Sequence, residues 1–179
     1  MASPGLAVRD ATTLDVPSIT ALHAHEADTG VSAYECLAPS EAEMAKRWQA
    51  SVQQGFPYLV AELDGQFAGY AYASSYRARE GYRWTVEDTV YVLPAARGRG
   101  VGIALLRSLI DVCTRLGYRQ MIAVIGDGTS TGSIALHERL GFLAAGVFPG
   151  MGWKHGRWLD NVQMLLPLGA GRGAPPDRA

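Results

Sequence analysis

The sequence predicts an α/β fold in which helices flank a mixed β-sheet. Three observations carry this prediction: a hairpin pattern around Asp64-Gly65, a strand leading through a glycine-rich loop into an amphipathic helix at 84–117, and a continuous apolar run at 120–125. The chain has 179 residues and is 48% hydrophobic, which suits one domain with a sizeable core and is too short for two full-sized ones. We expect this domain to span residues 1–168.

The first elements are predicted to be a short strand and a helix. Leu6–Arg9 is a short segment with apolar residues that suits a strand. Thr13 or Asp15 is placed to cap a helix whose first turn holds Pro17 and which runs to about Gly30.

A second helix and a hairpin follow. Ser40 and Glu43 have the capping-box spacing, so a helix should begin there and stop near Gly55. The runs 58–63 and 66–73 read as two antiparallel strands, because Asp-Gly between them suits a two-residue turn with positive φ.

The remaining elements alternate between strand and helix periodicity. They are a strand at 84–93, a helix at 101–117, a strand at 120–125, a helix at 133–140, and strands at 142–150 and 162–168 around a loop at 152–158. The segment 169–179 is rich in Gly, Pro and charge, so we expect a disordered tail.

The composition excludes several classes of protein. The chain has 16 basic and 17 acidic residues, so no strong overall charge attracts nucleic acid or an anionic membrane. Cys36 and Cys113 lie far apart and form no C-x-x-C pair, which argues against a disulfide framework or a metal site. We find no signal peptide and no stretch of ~18 apolar residues, so we expect a soluble, cytoplasmic protein.

The segment 97–102 predicts a phosphate site. Its sequence, Arg-Gly-Arg-Gly-Val-Gly, stands between a strand and a helix, where free backbone N–H groups and the helix dipole favour an anion. A P-loop would need Lys-Ser/Thr where Ile103-Ala104 stands, and the dinucleotide motif needs a different glycine spacing, so neither ATP nor NAD is supported. A glycine-rich turn used only for packing is the alternative.

The motifs in their context resemble those of the GNAT acetyltransferases. The resemblance rests on Arg97-x-x-Gly100-x-Gly102 at a helix start and on Leu136-His-Glu-Arg-Leu-Gly-Phe142 further on. It is closer still to the phosphinothricin and methionine sulfoximine acetyltransferase branch, through the segments 57–62, 84–92, 123–127 and 154–158. It covers roughly residues 6–168.

The resemblance implies a mixed, mostly antiparallel sheet whose parallel strands splay apart around acetyl-CoA. It places the pyrophosphate on the amides of 97–102 and the thioester carbonyl near an N–H of Tyr91 or Val92. Ser130 stands where many relatives have Asn. The implied cosubstrate-binding set is Val90, Tyr91, Val92, Arg97, Gly98, Arg99, Gly100, Val101, Gly102, Ser130 and Ser133. Relatives in this branch are often homodimers.

Acetyl transfer to an amine needs a general base, because an ammonium ion has no lone pair. Glu87 is the best candidate, since it lies mid-strand on the face of Thr89 and Tyr91, where desolvation would raise its pKa. The resemblance places the family's proposed base in the same stretch. A structural glutamate paired with an arginine is the alternative.

The histidines have different prospects. His137 is suited to hold or relay a proton, since imidazole titrates near neutral pH, although it could also be a packed or surface residue. His23 and His25 face different ways on their helix and are assigned no role. His155 belongs to the family-like loop 154–158, which borders the acceptor pocket or stabilises a dimer.

Arg77, Arg79 and Tyr82 precede the strand that carries Glu87. Arginine presents a fork suited to a carboxylate or phosphinate, and the family places acceptor-binding residues in this loop. A solvated charged loop is the alternative.

The sequence thus predicts an acetyl-CoA-dependent N-acetyltransferase acting on a small amino-acid-like amine. Two other functions stay open: acetylation of a protein N-terminus or another amine, and a CoA-binding module that has lost catalysis.

Overall fold

The computed structural model describes residues 5–31, 33–35, 37–127 and 129–176. Cys36, one of the two cysteines considered above, lies outside them, and Cys113 is a buried free thiol. The principal elements are β1 (Leu6–Asp10), α1 (Val16–Thr29), α2 (Glu41–Gln53), β2 (Tyr58–Leu63), β3 (Gln66–Ser75), β4 (Thr85–Val92), α3 (Val101–Arg115), β5 (Gln120–Ile125), α4 (Thr131–Arg139), β6 (Leu143–Lys154) and β7 (Arg157–Pro167).

Local signals place the early elements as predicted. The Ser40 hydroxyl accepts a hydrogen bond from the Glu43 N–H and caps α2. Asp64 and Gly65 both adopt positive φ in the two-residue turn between β2 and β3. Asp15 precedes α1, but its carboxylate accepts from the Thr12 N–H and so caps a short 3-10 turn.

In the part of the chain that the structure describes, seven strands form one sheet in the order β1-β2-β3-β4-β5-β7-β6, and only the β4–β5 pair is parallel. This pair is short, because only Thr85–Asp88 face Gln120–Ala123. Beyond these residues β4 continues against β3 alone and β5 against β7 alone. The two strands therefore part, and we call the opening between them the fork. The predicted mixed, mostly antiparallel sheet with splayed parallel strands is confirmed.

The core lies on both faces of the sheet. One cluster packs α3 against it, through Leu105, Leu109 and Val86, and the other packs α1 and α2, through Leu22 and Tyr91. Successive residues of β4 therefore face different helices.

Two segments differ from the prediction. The predicted loop 152–158 is wrong, because β6 and β7 continue through it to a two-residue turn at His155-Gly156. Both turn residues have positive φ, as at Asp64-Gly65, but His-Gly is a weaker turn signal. The predicted tail contains a 3-10 turn at Gly171–Gly173, and 177–179 lie outside the described residues. No helix in the described part of the chain is both long and apolar enough to cross a membrane.

Candidate active site

The fork presents main-chain groups of β4 to its opening. The Leu93 N–H donates to the Ala68 carbonyl, so the alternation of the antiparallel ladder turns the amides of Val90 and Val92 away from β3. They face the side from which β5 has parted. The opening is thus edged by amides with no strand opposite, which suits an extended ligand that carries hydrogen-bonding groups of its own.

The glycine loop ends at the start of α3. Gly98 and Gly100 have φ values of +74° and +86°, and an added Cβ at either would meet no atom within 4 Å, so the space beside them is open. The first intrahelical hydrogen bond runs from the Ala104 N–H to the Gly100 carbonyl. The amides of 101–103 therefore precede the helical ladder, as in helix ends that bind phosphate.

Arg97 fastens this loop to its surroundings. Its Nη2 donates to the Glu26 carboxylate of α1, and its Nε donates to the Val92 carbonyl at 3.2 Å. The side chain is thereby engaged in joining α1, the end of β4 and the loop. Arg97 presents its main chain, rather than its guanidinium, to a ligand.

A cleft of about 1430 Å³ runs along the fork and the glycine loop. Sites for drug-sized ligands measure roughly 300–1,000 Å³, so this cleft accommodates a longer molecule. Every residue of the predicted cosubstrate-binding set lines it except Arg99, whose guanidinium lies 3.4 Å from the Asp64 carboxylate. Glu87 and His137 line it too.

Glu87 faces the α1 and α2 side of the cleft, with Thr89 and Tyr91. The carboxylate is partly buried and forms no ion pair within the described residues. Burial raises its pKa, and the charge of Asp88 raises it further. The sequence left two alternatives for Glu87, a general base or a structural glutamate paired with an arginine. The absence of an ion pair among the described residues favours the first.

His137 reaches the cleft from α4, on the opposite side of β4. Its Nε2 lies 3.0 Å from Oδ2 of Asp88, and its Nδ1 donates to the Ser133 carbonyl at 2.7 Å. Burial lowers the pKa of His137, but the hydrogen bond and charge of Asp88 outweigh it, so the pKa is raised. His137 is a buried, hydrogen-bonded residue and not a surface one.

The structure does not bring Arg77, Arg79 and Tyr82 into the cleft lining. The Arg77 guanidinium lies 5.1 Å from the ring centre of Tyr76 and 5.7 Å from that of Tyr82. Arg79 is exposed. In this conformation the side chains of these three residues do not line the cleft that holds Glu87.

Three polar residues on the Glu87 side of the cleft were not predicted. His23 Nε2 lies 2.5 Å from Oε2 of Glu35, whose Oε1 accepts from Arg47, also at 2.5 Å. The other ring nitrogen of His23 lies 3.0 Å from the Tyr70 hydroxyl. A signal for His23 existed, since it falls on the stripe of α1 that buries Ile19. Glu35 lies in an irregular loop, where periodicity gives no guidance.

The β6–β7 hairpin is tied to the rim of the cleft. The buried Lys154 donates to the Ala33 carbonyl at 2.6 Å, and His155 lies 3.1 Å from the Gly30 carbonyl. Arg157 pairs with Asp127 at 2.5 Å. This hairpin therefore contacts the chain after α1 at Gly30 and Ala33 and the chain after β5 at Asp127.

The geometry fits a ligand with a phosphate group at one end and an extended, amide-containing arm at the other. The glycine loop supplies amides for the phosphate, and the fork supplies the amides of Val90 and Val92 for the arm. CoA has this chemistry. Within the described residues, no group of three His, Cys, Asp or Glu side chains is placed to hold a metal ion. The fold and the site define the class of CoA-dependent acyltransferases.

Comparison with known proteins narrows this class. The Acetyltransferase (GNAT) family matches residues 20–142. A phosphinothricin N-acetyltransferase from Alcaligenes faecalis is 47% identical over 163 residues, which cover 91% of this chain and 83% of the relative. An L-methionine sulfoximine/L-methionine sulfone acetyltransferase from Pseudomonas paraeruginosa is 40% identical over 170 residues, covering 94% and 98%.

Solved structures agree. A phosphinothricin acetyltransferase from Sinorhizobium meliloti, in complex with acetyl-CoA, has a TM-score of 0.93 at 48% identity and covers 98% of this chain and 95% of its own. A putative acetyltransferase from Salmonella typhimurium with acetyl-CoA also has a TM-score of 0.93, at 35% identity, covering 98% and 99%. The chain belongs to the GNAT acetyltransferase family, within the phosphinothricin and methionine sulfoximine branch. It is an acetyl-CoA-dependent N-acetyltransferase.

Proposed function

We propose that the enzyme acetylates the amine of a small amino-acid-like acceptor of the phosphinothricin or methionine sulfoximine type, with Glu87 as general base. The observation that carries the proposal is the position of Glu87: a partly buried, unpaired carboxylate on the face of β4 opposite His137, at the fork. The relatives' acceptors support the substrate class.

The residues of the chain divide the work between the two faces of β4. Acetyl-CoA supplies the acetyl thioester when bound. The amides of 97–102 hold its phosphates, and Val92 N–H offers a hydrogen bond to the thioester carbonyl. Glu87 takes a proton from the ammonium, directly or through one water, and so frees the lone pair for attack.

The acceptor lies on the α1 and α2 side of the cleft, beside Glu87. The polar groups there are His23, Glu35 and Arg47, and Arg47 is the cation among them. The Arg47 guanidinium donates through Nη1 to Glu35 and through Nε to Glu43, and we propose that its third nitrogen, Nη2, contributes to holding the acceptor's acidic end. The earlier candidates Arg77 and Arg79 remain predictions that require the loop 76–83 to fold over the cleft.

The test is an acceptor screen that measures CoA thiol release. The panel comprises phosphinothricin, methionine sulfoximine, methionine sulfone, polyamines and peptides with free N-termini. Transfer to the first three with little to the others supports the proposal. Preference for peptides would assign the enzyme to protein N-termini, and no transfer to any amine would indicate a CoA-binding module.

A second experiment identifies the arginine that holds the acceptor's carboxylate. It compares kcat/KM for methionine sulfoximine with kcat/KM for its amine analogue lacking the carboxylate, in Arg47→Ala, Arg77→Ala and Arg79→Ala. Loss of a charge-assisted hydrogen bond costs about 1.5–3 kcal/mol, roughly ten- to a hundred-fold in kcat/KM, whereas a solvated arginine costs almost nothing. The arginine whose removal abolishes the preference for the carboxylate holds it.

We also propose that the protein is a cytoplasmic homodimer. Support for the dimer comes from β6, an edge strand with a row of exposed apolar side chains: Leu143, Val147, Phe148, Met151 and Trp153. Such an edge is normally covered. Sedimentation of the wild type and of Phe148→Glu tests this, and a monomeric wild type would refute it. The dependence of the enzyme on acetyl-CoA supports the cytoplasmic location. Fractionation of cells tests it.

A further inference from the structure

A buried carboxylate and imidazole meet at the fork. Asp88 is the last residue of β4 that pairs with β5, and its side chain faces the α3 and α4 side, as Val86 does. His137 comes from α4, and its Nε2 lies 3.0 Å from Oδ2 of Asp88. Only 2% of the Asp88 side chain and 5% of the His137 side chain are exposed. Solvent therefore screens this pair very little.

The hydrogen bonds define where the protons lie. Nδ1 of His137 is 2.7 Å from the Ser133 carbonyl, which can only accept, so Nδ1 carries a proton. A proton must also lie between Nε2 and Oδ2, because two lone pairs facing each other at 3.0 Å would repel. The hydrogen bond and charge of Asp88 raise the pKa of His137, which favours Nε2 as the site of this proton and makes the ring an imidazolium.

Asp88 has no other compensation among the described residues. Its second oxygen, Oδ1, is buried without a hydrogen-bond partner there. If His137 lost a proton, a buried carboxylate would be left uncompensated, which is strongly unfavourable. The orphan oxygen is thus a second reason, independent of the His137 geometry, for the proton to stay.

Few titratable groups face this pair from the neighbouring elements. Cys113 approaches Asp88 from α3, and burial together with the charge of Asp88 raises its pKa to about 12, so the thiol stays neutral. Glu87 follows on β4 but faces the opposite side. Phe142, which lies between α4 and β6, packs its ring edge-on against His137 and carries no charge. The protonation of His137 thus depends mainly on Asp88.

We propose that Asp88 is a positioning residue that keeps His137 protonated on both nitrogens at neutral pH and fixes its ring at the fork. The consequence for catalysis rests on the proposed function. As the C–S bond of the thioester breaks, negative charge develops on the sulfur, and the ring held by Asp88 stabilises it as a positive charge fixed at the fork. Glu87 takes the amine proton, the thiolate takes a proton from solvent, and Glu87 later returns its proton to solvent.

The test is the titration of His137 by nuclear magnetic resonance of the ring nitrogens, in protein without acetyl-CoA. The chain has four histidines, and the signal missing in His137→Gln identifies the one at the fork. In Asp88→Asn, the amide can donate to Nε2 of a neutral ring, so the hydrogen bond and the fold are retained. We expect the proton affinity of His137 to fall at least tenfold. The matched control, Asp28→Asn, makes the same change at an exposed position of α1 and should alter nothing.

The kinetic counterpart is the alkaline limb of kcat against pH, which should move to lower pH in Asp88→Asn by the same factor. A residue that merely supports packing would lower kcat at every pH without moving the limb. If Asp88→Asn does not fold, the wild type alone decides, since two protonated ring nitrogens at pH 7 are required.

Three results would overturn the inference: a singly protonated His137 in the wild type at pH 7, an unchanged affinity in Asp88→Asn, or an alkaline limb that does not move. An inactive wild type with a doubly protonated His137 would instead refute the proposed function and leave the Asp88–His137 assignment standing.

Discussion

Replacing Glu87 with glutamine tests the assignment of the base, because it keeps the side-chain shape and removes the basicity. Loss of a general base lowers kcat by roughly 10²–10⁴, which corresponds to about 2.7–5.4 kcal/mol. The structure favours the upper part of this range. The other acidic residues on this side of the cleft are already engaged, Glu35 with His23 and Arg47 and Glu26 with Arg97, so they cannot replace Glu87.

The pH dependence gives the same test a second readout. Burial and Asp88 raise the pKa of Glu87 above its ordinary value of 4.5, so the acidic limb of kcat should lie above that value. The ionised carboxylate also destabilises the fold, since stability is lost as pH rises from the unfolded pKa through the higher folded one. Glu87→Gln should therefore lose activity without lowering Tm at pH 7.

The assay is thiol release at saturating acetyl-CoA across pH, with calorimetry for CoA affinity. Glu80→Gln is the matched control, because Glu80 is 87% exposed and pairs only with Arg83 in the described structure. The reasoning is refuted if Glu87→Gln retains kcat within about threefold of wild type, or if its acidic limb persists unchanged.

Two further predictions concern the phosphate site and acid stability. Gly100→Glu should abolish acetyl-CoA binding measured by calorimetry, because it places a carboxylate where a phosphate must approach. Gly55→Glu is the matched control: Gly55 has φ +81° and lies beside open space, so the substitution carries a similar backbone strain of roughly 1–2 kcal/mol. This control should bind acetyl-CoA normally. Hydrogen bonding and charge from Arg9 lower the pKa of Asp15 from 3.8 to about 2. Asp15→Asn should therefore lower the free energy of unfolding by at most about 2 kcal/mol at pH 7, a value discounted because Arg9 is partly exposed. In denaturant titrations, the difference between wild type and Asp15→Asn should vanish as pH falls from 4 to 2. A constant difference across pH would contradict this.

The sequence predicted helices and strands well where local chemistry decides. Asp64-Gly65 and Ser40 act through their own backbone and near neighbours, so their roles can be predicted from the local sequence alone. The turn at His155-Gly156 was missed because histidine at positive φ is tolerated there only within a paired hairpin.

The candidate site was predictable in part. The glycine loop and Glu87 lie in motifs that the family resemblance marks, and the structure places both along one cleft. The partners of His137 and His23 were not predictable, because Asp88 and Glu35 are brought to them by tertiary packing across 49 and 12 residues of sequence. Glu87 and Asp88 are neighbours on β4 but face opposite sides of the sheet. Which helices each of them faces is decided by how the strands pair.

The fork also bears on how long the protein survives. An unpaired strand edge in the middle of a sheet is an internal weak point, since the two halves of the sheet are joined there by only four residue pairs. A ligand lying along that edge bridges both halves and stabilises the folded state by mass action. Resistance to proteases and to heat should therefore follow the acetyl-CoA supply, so that the enzyme persists longest when its cosubstrate is abundant.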